Sequence, residues 1–115
     1  MAFRDLFEDA IVKFNDRAKT NPDYQEVLRE YNGRTVSFQI EDDTTYVISI
    51  SMEGSSLTVS PQNSKEDMVL QTSKSIMDKM INERKVDAMD LLMGRIKVKN
   101  ITLKEVSVIK KLLKI

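Results

Sequence analysis

Hydrophobic residues in the first part of the chain repeat with helical spacing. One stripe predicts an amphipathic helix over about residues 2–19 and consists of Phe3, Leu6, Phe7, Ala10, Ile11 and Phe14. Asn21 and Pro22 suit an N-cap and a first helical position, so a second, shorter helix should begin there. Its apolar stripe is Tyr24, Val27, Leu28 and Tyr31. Asn32 and Gly33 both tolerate a positive φ angle and should end this helix.

After Gly33 the hydrophobic period changes to the alternation of half-buried strands. Three strands are predicted between polar turns, and their inward residues are Val36, Phe38 and Ile40, then Tyr46, Ile48 and Ile50, then Leu57 and Val59. A polar loop over residues 61–67 separates them from a short fourth strand at residues 68–71.

Helical spacing returns at Ser73, with Ile76, Met77, Met80 and Ile81 on one side. Asp87 should open a short helical turn over residues 88–93, and Gly94 leads into a fifth strand at residues 95–98. Thr102 and Glu105 form a capping-box pattern, in which hydroxyl and carboxylate each satisfy a backbone N–H. The last helix then has the stripe Leu103, Val106, Ile109, Leu112 and Leu113. The pattern predicts an α+β fold with a single five-stranded, mainly antiparallel sheet covered on one face by about five helices.

Length and composition are consistent with one domain over residues 1–115. Hydrophobic residues make up 41% and charged residues 31% of the chain, which is typical of a folded globular protein. Cysteine is absent, and acids stand near the N-terminus where a signal peptide needs an apolar block. We therefore expect a soluble, cytoplasmic protein.

The side chains needed for common catalytic and metal chemistry are largely missing. Without histidine, neither a Ser-His-Asp system nor a histidine-based metal site can form. The acids of residues 41–43 could bind a cation, but a hairpin tip also needs such residues for solubility. Asp87 and Asp90 could form an acid/base pair, although a helix start and a surface position explain them more simply. The chain is not predicted to be an enzyme, and no metal site or cofactor is predicted.

Charge is distributed unevenly along a chain whose net charge is zero. Residues 91–115 contain seven Lys or Arg and one acid, Glu105. A solvated basic face is the simplest interpretation, and transient contact with an anionic membrane surface is the alternative. All Phe and Tyr lie at or before Tyr46, so the basic end lacks the aromatic residues that stack on bases. Nucleic acid is therefore not an expected partner.

Several blocks, in this order, resemble the sterol carrier protein type-2 family. They are Gly-Arg-Thr-Val-Ser-Phe-Gln-Ile at residues 33–40, Tyr-Val-Ile-Ser-Ile at 46–50, Leu-Thr-Val-Ser at 57–60, Met-Val-Leu-Gln-Thr-Ser at 68–73 and Leu-Leu-Met-Gly-Arg-Ile-Lys-Val at 91–98. Two features depart from the family pattern. Lys99-Asn100 replaces a Gly-Asn or Gly-Asp turn, and Leu91-Leu92-Met93 stands where Phe is frequent. Asn100 can adopt the left-handed conformation that this turn needs.

The resemblance implies non-covalent binding and transfer of sterols, fatty acyl chains or other lipids in a tunnel between sheet and helices. The predicted lipid-binding residues are Met77, Met80, Ile81, Met89, Leu92, Met93, Val106, Ile109 and Leu113. Methionine is flexible and polarizable, which suits varied apolar ligands, although such stripes also form ordinary cores. The alternatives are a structural or dimerising module, or an accessory subunit of an enzyme, with no ligand of its own. The sequence leaves open whether the protein forms a homodimer.

Overall fold

The computed structural model describes residues 3–41, 45–60, 67–83 and 85–113. The helices of these ranges are α1 (Phe3–Ala18), α2 (Pro22–Glu30), α3 (Lys74–Glu83), α4 (Ala88–Leu92) and α5 (Leu103–Leu113). The strands are β1 (Thr35–Ile40), β2 (Thr45–Ser51), β3 (Gly54–Ser60), β4 (Met68–Thr72) and β5 (Ile96–Lys99). The α+β class and the number of elements predicted from the sequence are confirmed.

The five described strands form one mixed sheet in the order β3-β2-β1-β4-β5. Strands β1, β2 and β3 form an antiparallel meander, and β5 is antiparallel to β4. Only β1 and β4 run parallel among these pairs, because the chain returns from the far edge at β3 to the other side of β1. The prediction of a mainly antiparallel sheet is therefore confirmed, with one parallel pair at its centre.

The inner face of the sheet consists largely of the alternating apolar set predicted from the sequence, although Val59 on β3 is 37% exposed. Val36 of β1 lies between Ile48 and Met68, and all three side chains are fully buried. In the next inward row, Phe38 lies between Tyr46 and Leu70. Helix α1 packs onto this row, because Phe7 contacts the rings of Phe38 and Tyr46 at centroid distances of 5.1 and 4.8 Å. These contacts build the core between the sheet and the helices.

Local signals in the sequence explain where several elements begin. The Asn21 side chain accepts a hydrogen bond from the Asp23 N–H at 2.9 Å, and Pro22 is the first residue of α2. Asn100 has a φ angle of 59°, so the predicted left-handed turn after β5 is confirmed. Its Nδ2 donates to the Asp67 carbonyl at 2.8 Å, which fixes this turn against the start of β4.

The cap of α5 differs in part from the predicted capping box. Oε1 of Glu105 accepts from the Thr102 N–H at 3.0 Å, as predicted. The Thr102 hydroxyl, however, donates to that same carboxylate oxygen at 2.6 Å. The second oxygen of Glu105 accepts from the hydroxyl of Tyr31, at the end of α2, at 2.7 Å. One carboxylate thus caps α5 and also joins it to α2.

Candidate functional site

Helix α3 directs two methionines into the core. The Ser73 hydroxyl oxygen accepts from the Ile76 N–H at 3.3 Å and so helps to cap the helix. One turn later Met77 and Met80 are buried completely, while Ile81 lies half-buried against the same core. Three of the nine predicted lipid-binding residues therefore lie at the inner side of this helix.

Helix α5 contributes a second group of buried residues to the same core, with a stripe that differs from the predicted one. Its buried residues are Val108, Ile109, Leu112 and Leu113, so two predicted site residues, Ile109 and Leu113, are in the core. Val106 is only half-buried. Leu103 was assigned to the inner stripe, but it is 90% exposed, and this assignment is wrong. It lies nine positions before Leu112, which is about two and a half helical turns, and so points to the opposite side.

Helix α4 places the remaining three predicted site residues at the surface. The side chains of Met89, Leu92 and Met93 are 57%, 80% and 62% exposed. Leu91 is the apolar residue of this helix that packs against the core from a half-buried position. The structure therefore divides the nine residues into a buried or half-buried group on α3 and α5 and an exposed group on α4 and its C-cap.

The polar residue of α4, Asp90, points inward, and the acid before the helix caps it. Asp87 is the N-cap and accepts from the Met89 N–H at 2.9 Å, as its predicted position at a helix start requires. Asp90 was expected at the surface, but its side chain is only 1% exposed, so that expectation is wrong. It is buried because two cations reach it: Arg95 Nη1 lies 3.0 Å from Oδ1, and Lys79 Nζ lies 3.4 Å from Oδ2.

The ion pairs join α3, α4 and the start of β5 into one unit. Lys79 also contacts Asp87 at 3.3 Å, and these two carboxylates, Asp87 and then Asp90, raise the pKa of Lys79. The Arg95 N–H donates to the Asp90 carbonyl at 2.9 Å, and the Thr72 hydroxyl donates to the Arg95 carbonyl at 2.9 Å. Gly94, with a φ angle of 76°, makes the turn that brings Arg95 back to Asp90. The carboxylates have a structural role here, which accounts for them without acid/base chemistry.

A second polar cluster positions α5 over the sheet. Asp67 accepts two hydrogen bonds of 2.9 Å from the Arg34 guanidinium, which lowers the pKa of that carboxyl. The same guanidinium lies over the ring of Tyr31, 5.4 Å from its centroid. The Tyr31 hydroxyl donates a hydrogen bond to Glu105. The pKa of the Tyr31 phenol is raised, chiefly by burial and then by this hydrogen bond. The cluster links α2, β1, β4 and α5 at one end of the sheet.

The described ranges contain no group of three potential metal-ligating side chains. Residues 42 and 43 of the cation site considered at residues 41–43 lie outside the described residues. A groove of about 270 Å³ separates α2 from α5, and its rims carry Glu26, Glu30, Lys104 and Lys111.

None of the described helices has the length and apolar character needed to span a membrane.

Comparison with known families identifies the fold. The sequence profile of the SCP-2 sterol transfer family matches residues 13–100. The chain belongs to this family. No curated protein gives a significant match to the sequence.

Solved structures resemble the chain in shape and only weakly in sequence. One is a UbiJ-SCP2 ubiquinone synthesis protein, with a TM-score of 0.65, 13% identity, and coverage of 98% of this chain and 93% of that chain. Another is apo sterol carrier protein 2 from Yarrowia lipolytica, with a TM-score of 0.65, 15% identity, and coverage of 96% and 85%. A third is the sec-alkylsulfatase Pisa1 from Pseudomonas sp., where the match has a TM-score of 0.58, 15% identity, and coverage of 76% of this chain but 14% of the enzyme.

Three residues of the SCP-2 core were absent from the predicted site although they share its buried space. They are Met68, Val108 and Leu112. The alternation of Met68 with Leu70 could have identified the first, because both face inward on β4. The pairs 108–109 and 112–113 are four residues apart and mark the true inner stripe of α5.

Proposed function

We propose that this chain is a non-catalytic carrier that binds a lipid or another long apolar ligand between its sheet and its helices, and transfers it. Membership of the SCP-2 sterol transfer family is the observation that carries this proposal. The three fully buried methionines, Met68 on β4 with Met77 and Met80 on α3, support the location, because they belong to one contiguous core cluster.

Ligand entry in this proposal requires the core side chains to rearrange. Met77, Met80 and Ile109 are all within 1% of complete burial, so an acyl chain must take over space that they occupy. Methionine has three rotatable side-chain bonds and adapts to irregular apolar surroundings. Burial of an acyl chain contributes about 0.8 kcal/mol per CH₂, which offsets the weaker packing of the protein's own side chains. The ligand therefore replaces part of the apolar packing that these side chains provide for one another.

The nine predicted residues have different roles in the proposed site. Met77, Met80, Ile109 and Leu113 form its inner wall. Ile81 and Val106 flank it from half-buried positions. The rim of the site is formed by the exposed residues Met89, Leu92 and Met93 of α4 and its C-cap. This rim lies next to α3, because Lys79 of α3 pairs with Asp87 at the start of α4.

The same proposal includes the cell compartment and the partners expected from the sequence. The carrier works in the cytoplasm, takes up and delivers its ligand by transient contact with anionic membranes, and has no nucleic acid partner. A homodimer is compatible with this activity but is not needed for it, since the proposed inner wall is built from one chain.

A structural or accessory role is the second candidate, and the packing of the core favours it. Side chains of the protein itself meet between the sheet and the helices in one cluster. In addition, the similar structures include a protein described as acting in ubiquinone synthesis and a segment of an alkylsulfatase. A module of this kind would hold partner proteins or domains together and would bind no lipid.

Uptake of a fluorescent fatty acid by the purified chain in vesicle-free solution distinguishes the two candidates. The carrier should bind the probe, and Met80→Trp and Ile109→Trp should each weaken binding about tenfold or more by filling the site. Overpacking costs about 1–3 kcal/mol of stability, so both variants should remain folded at low temperature. Leu103→Trp places the same ring on the 90% exposed side of α5 and should bind like the wild type.

Two outcomes would count against the carrier. Absence of probe binding by the wild type would favour the accessory role. Equal binding by all three Trp variants would show that the probe binds elsewhere. Met80→Leu, which nearly conserves side-chain volume, serves as a further control if Met80→Trp does not fold.

A further inference from the structure

Helix α4 carries the most concentrated group of exposed apolar side chains in the described part of the chain. Met89, Leu92 and Met93 are each more than half exposed. Their spacing of i, i+3 and i+4 places them on one side of a single helical turn. Other large exposed apolar residues, such as Val12 and Leu103, are separated along the chain. Adjacent exposed apolar side chains mark an interaction surface more often than scattered ones do.

The orientation of α4 is the reverse of a normal surface helix, which buries its apolar side and exposes its polar side. Here Asp90 is buried, and Asp87 caps the helix while it contacts Lys79. The ion pairs of Asp90 with Lys79 and Arg95 fix the helix from its polar side, so the exposure of Leu92 and Met93 is built into the fold. A partner that covers this side would therefore contact apolar side chains.

The charges around α4 favour an anionic partner surface. In its ion pairs the carboxylate is the more buried member: Asp90 is 1% exposed, against 37% for Lys79 and 53% for Arg95. Asp87 is likewise more buried than Lys79. The network of two carboxylates and two cations is neutral overall, and the cations are its more exposed members, next to an apolar stripe. Apolar side chains flanked by cations are the combination that binds the interface of anionic bilayers.

A lipid surface fits this stripe better than a protein does. A standard protein interface buries about 800 Å² on each partner, which is far more than three side chains of α4 and its C-cap can offer. A protein partner also needs a matching concave surface for side chains that protrude as far as Leu92. A fluid bilayer interface accommodates protruding apolar side chains without a fixed complementary shape.

We propose that α4 is a membrane-docking element, in which Met89, Leu92 and Met93 insert into the interface of an anionic bilayer while Lys79 and Arg95 face its headgroups. This places docking on α4 instead of on the basic strand and the last helix. The inference rests on the proposed carrier function, since docking here brings the bilayer next to α3 and its buried methionines. It concerns the bilayer surface only and assigns no headgroup beyond negative charge.

Co-sedimentation with vesicles tests the proposal. The probes are phosphatidylcholine vesicles with and without phosphatidylglycerol, at low and at high salt. The test variant combines Leu92→Asp with Met93→Asp. The matched control combines Val12→Asp with Leu103→Asp, which adds the same charge at two exposed apolar positions outside α4.

The wild type and the control should bind the anionic vesicles at low salt and lose most of this binding at high salt. The α4 variant should bind about tenfold or more weakly, because it loses two inserting side chains and gains repulsion. All three proteins should show the same circular dichroism spectrum and unfolding midpoint. Fatty acid binding in vesicle-free solution should be equal in the wild type and in the Val12→Asp/Leu103→Asp control, and this bilayer-free measurement reports on the carrier function separately from docking.

Three results would overturn the proposal. The first is absence of wild-type binding to anionic vesicles at low salt, and the second is an equal loss of binding in both double variants. The third is a sedimentation velocity result in which the wild type and the control are dimers and the α4 variant is a monomer. The last result would assign the stripe to a second copy of the chain. Absence of fatty acid binding by the wild type without vesicles would instead indicate that the carrier function itself is wrong.

Discussion

Asn15 of α1 binds the backbone of Ser55 as a neighbouring strand would. Its Oδ1 accepts from the Ser55 N–H at 2.7 Å, and its Nδ2 donates to the Ser55 carbonyl at 2.9 Å. Ile50, which lies opposite Ser55 on β2, directs its own N–H and carbonyl to Arg34 and Gly33. The N–H and carbonyl of Ser55 therefore face the open edge of the sheet. One carboxamide satisfies both and fastens α1 to this edge.

Replacing Asn15 with Ala should lower the free energy of unfolding by about 1–3 kcal/mol, because two backbone groups of the buried Ser55 lose their partner. Asn15→Asp should also destabilise, since it keeps the acceptor but turns a carboxylate oxygen toward the Ser55 carbonyl. Urea unfolding at pH 7 measures both. Asn32→Ala removes one exposed bond to the Met52 N–H and should cost less than about 1 kcal/mol. Equal losses of stability at the two positions would contradict the assigned role of Asn15.

Gly54 is next to this bond and tolerates no side chain. Its φ angle is +139°, and an added Cβ would lie 2.9 Å from Oδ1 of Asn15. We expect Gly54→Ala to cost about 2–4 kcal/mol, from backbone strain and from displacement of the carboxamide. Gly94→Ala, with a φ angle of +76° and no atom within 4 Å of the added Cβ, should cost about 1–2 kcal/mol. In an Asn15→Ala background the cost of Gly54→Ala should fall, and a double-mutant cycle with no coupling would exclude the proposed collision.

The buried carboxylate of Asp90 should be the main anchor of α4. Asp90→Asn keeps the shape of the side chain but loses the charge that holds Lys79 and Arg95, so we expect a loss of about 1–3 kcal/mol in urea unfolding. Asp87→Asn is the matched control, because Asn is an equally good N-cap and the Asp87–Lys79 pair is half-exposed. It should change stability by less than about 1 kcal/mol. A larger effect at Asp87 than at Asp90 would refute this assignment.

Glu105 should make stability sensitive to acid. Hydrogen bonds from the Thr102 hydroxyl, from Tyr31 and from the Thr102 N–H lower its pKa from an ordinary 4.5 to about 2. A depressed carboxyl pKa adds stability that is fully present above the unfolded-state pKa and is lost as the pH falls through the folded-state pKa. The difference in unfolding free energy between wild type and Glu105→Gln should therefore be constant from pH 7 to about 5 and shrink between about 4.5 and 2.

Chemical denaturation at a series of pH values measures this difference. The control is Glu8→Gln, which removes an exposed pair with Arg4 and should differ little from the wild type throughout the series. A gap between wild type and Glu105→Gln that stays constant down to pH 2 would show that the carboxylate is not held by these hydrogen bonds.

The sequence was sufficient to predict the order and type of the elements, because their periods differ clearly. The alternation around Phe38 predicted the sheet, and Asn21, Asp87 and Asn100 each marked a boundary through local hydrogen bonding or backbone conformation. The family resemblance was confirmed as well. These features depend on neighbours in sequence, which a single chain displays directly. The division into one domain stays a prediction.

The side-chain positions of the site depended on distant partners and were harder to predict. Helix α4 has only five residues, and apolar residues occur on more than one side of it, so its period cannot tell which side is buried. Its orientation is decided by Asp90, whose partners Lys79 and Arg95 lie in other elements. For α5, steps of three residues linked Leu103 to Val106 and Ile109, but over the nine positions to Leu112 the helix turns Leu103 to the opposite side. The lipid-binding role of these residues stays a prediction.

Native mass spectrometry of the purified protein tests the carrier proposal most directly. The account predicts that, beside the mass of the 115-residue chain, a second species appears with an added lipid-sized mass that is released on collisional activation. After lipid removal, a long-chain fatty acid should restore one bound molecule per chain in the wild type and much less in Met80→Trp. A chain that shows only its own mass, both as purified and after incubation with fatty acids, sterols and phospholipids, would contradict the account.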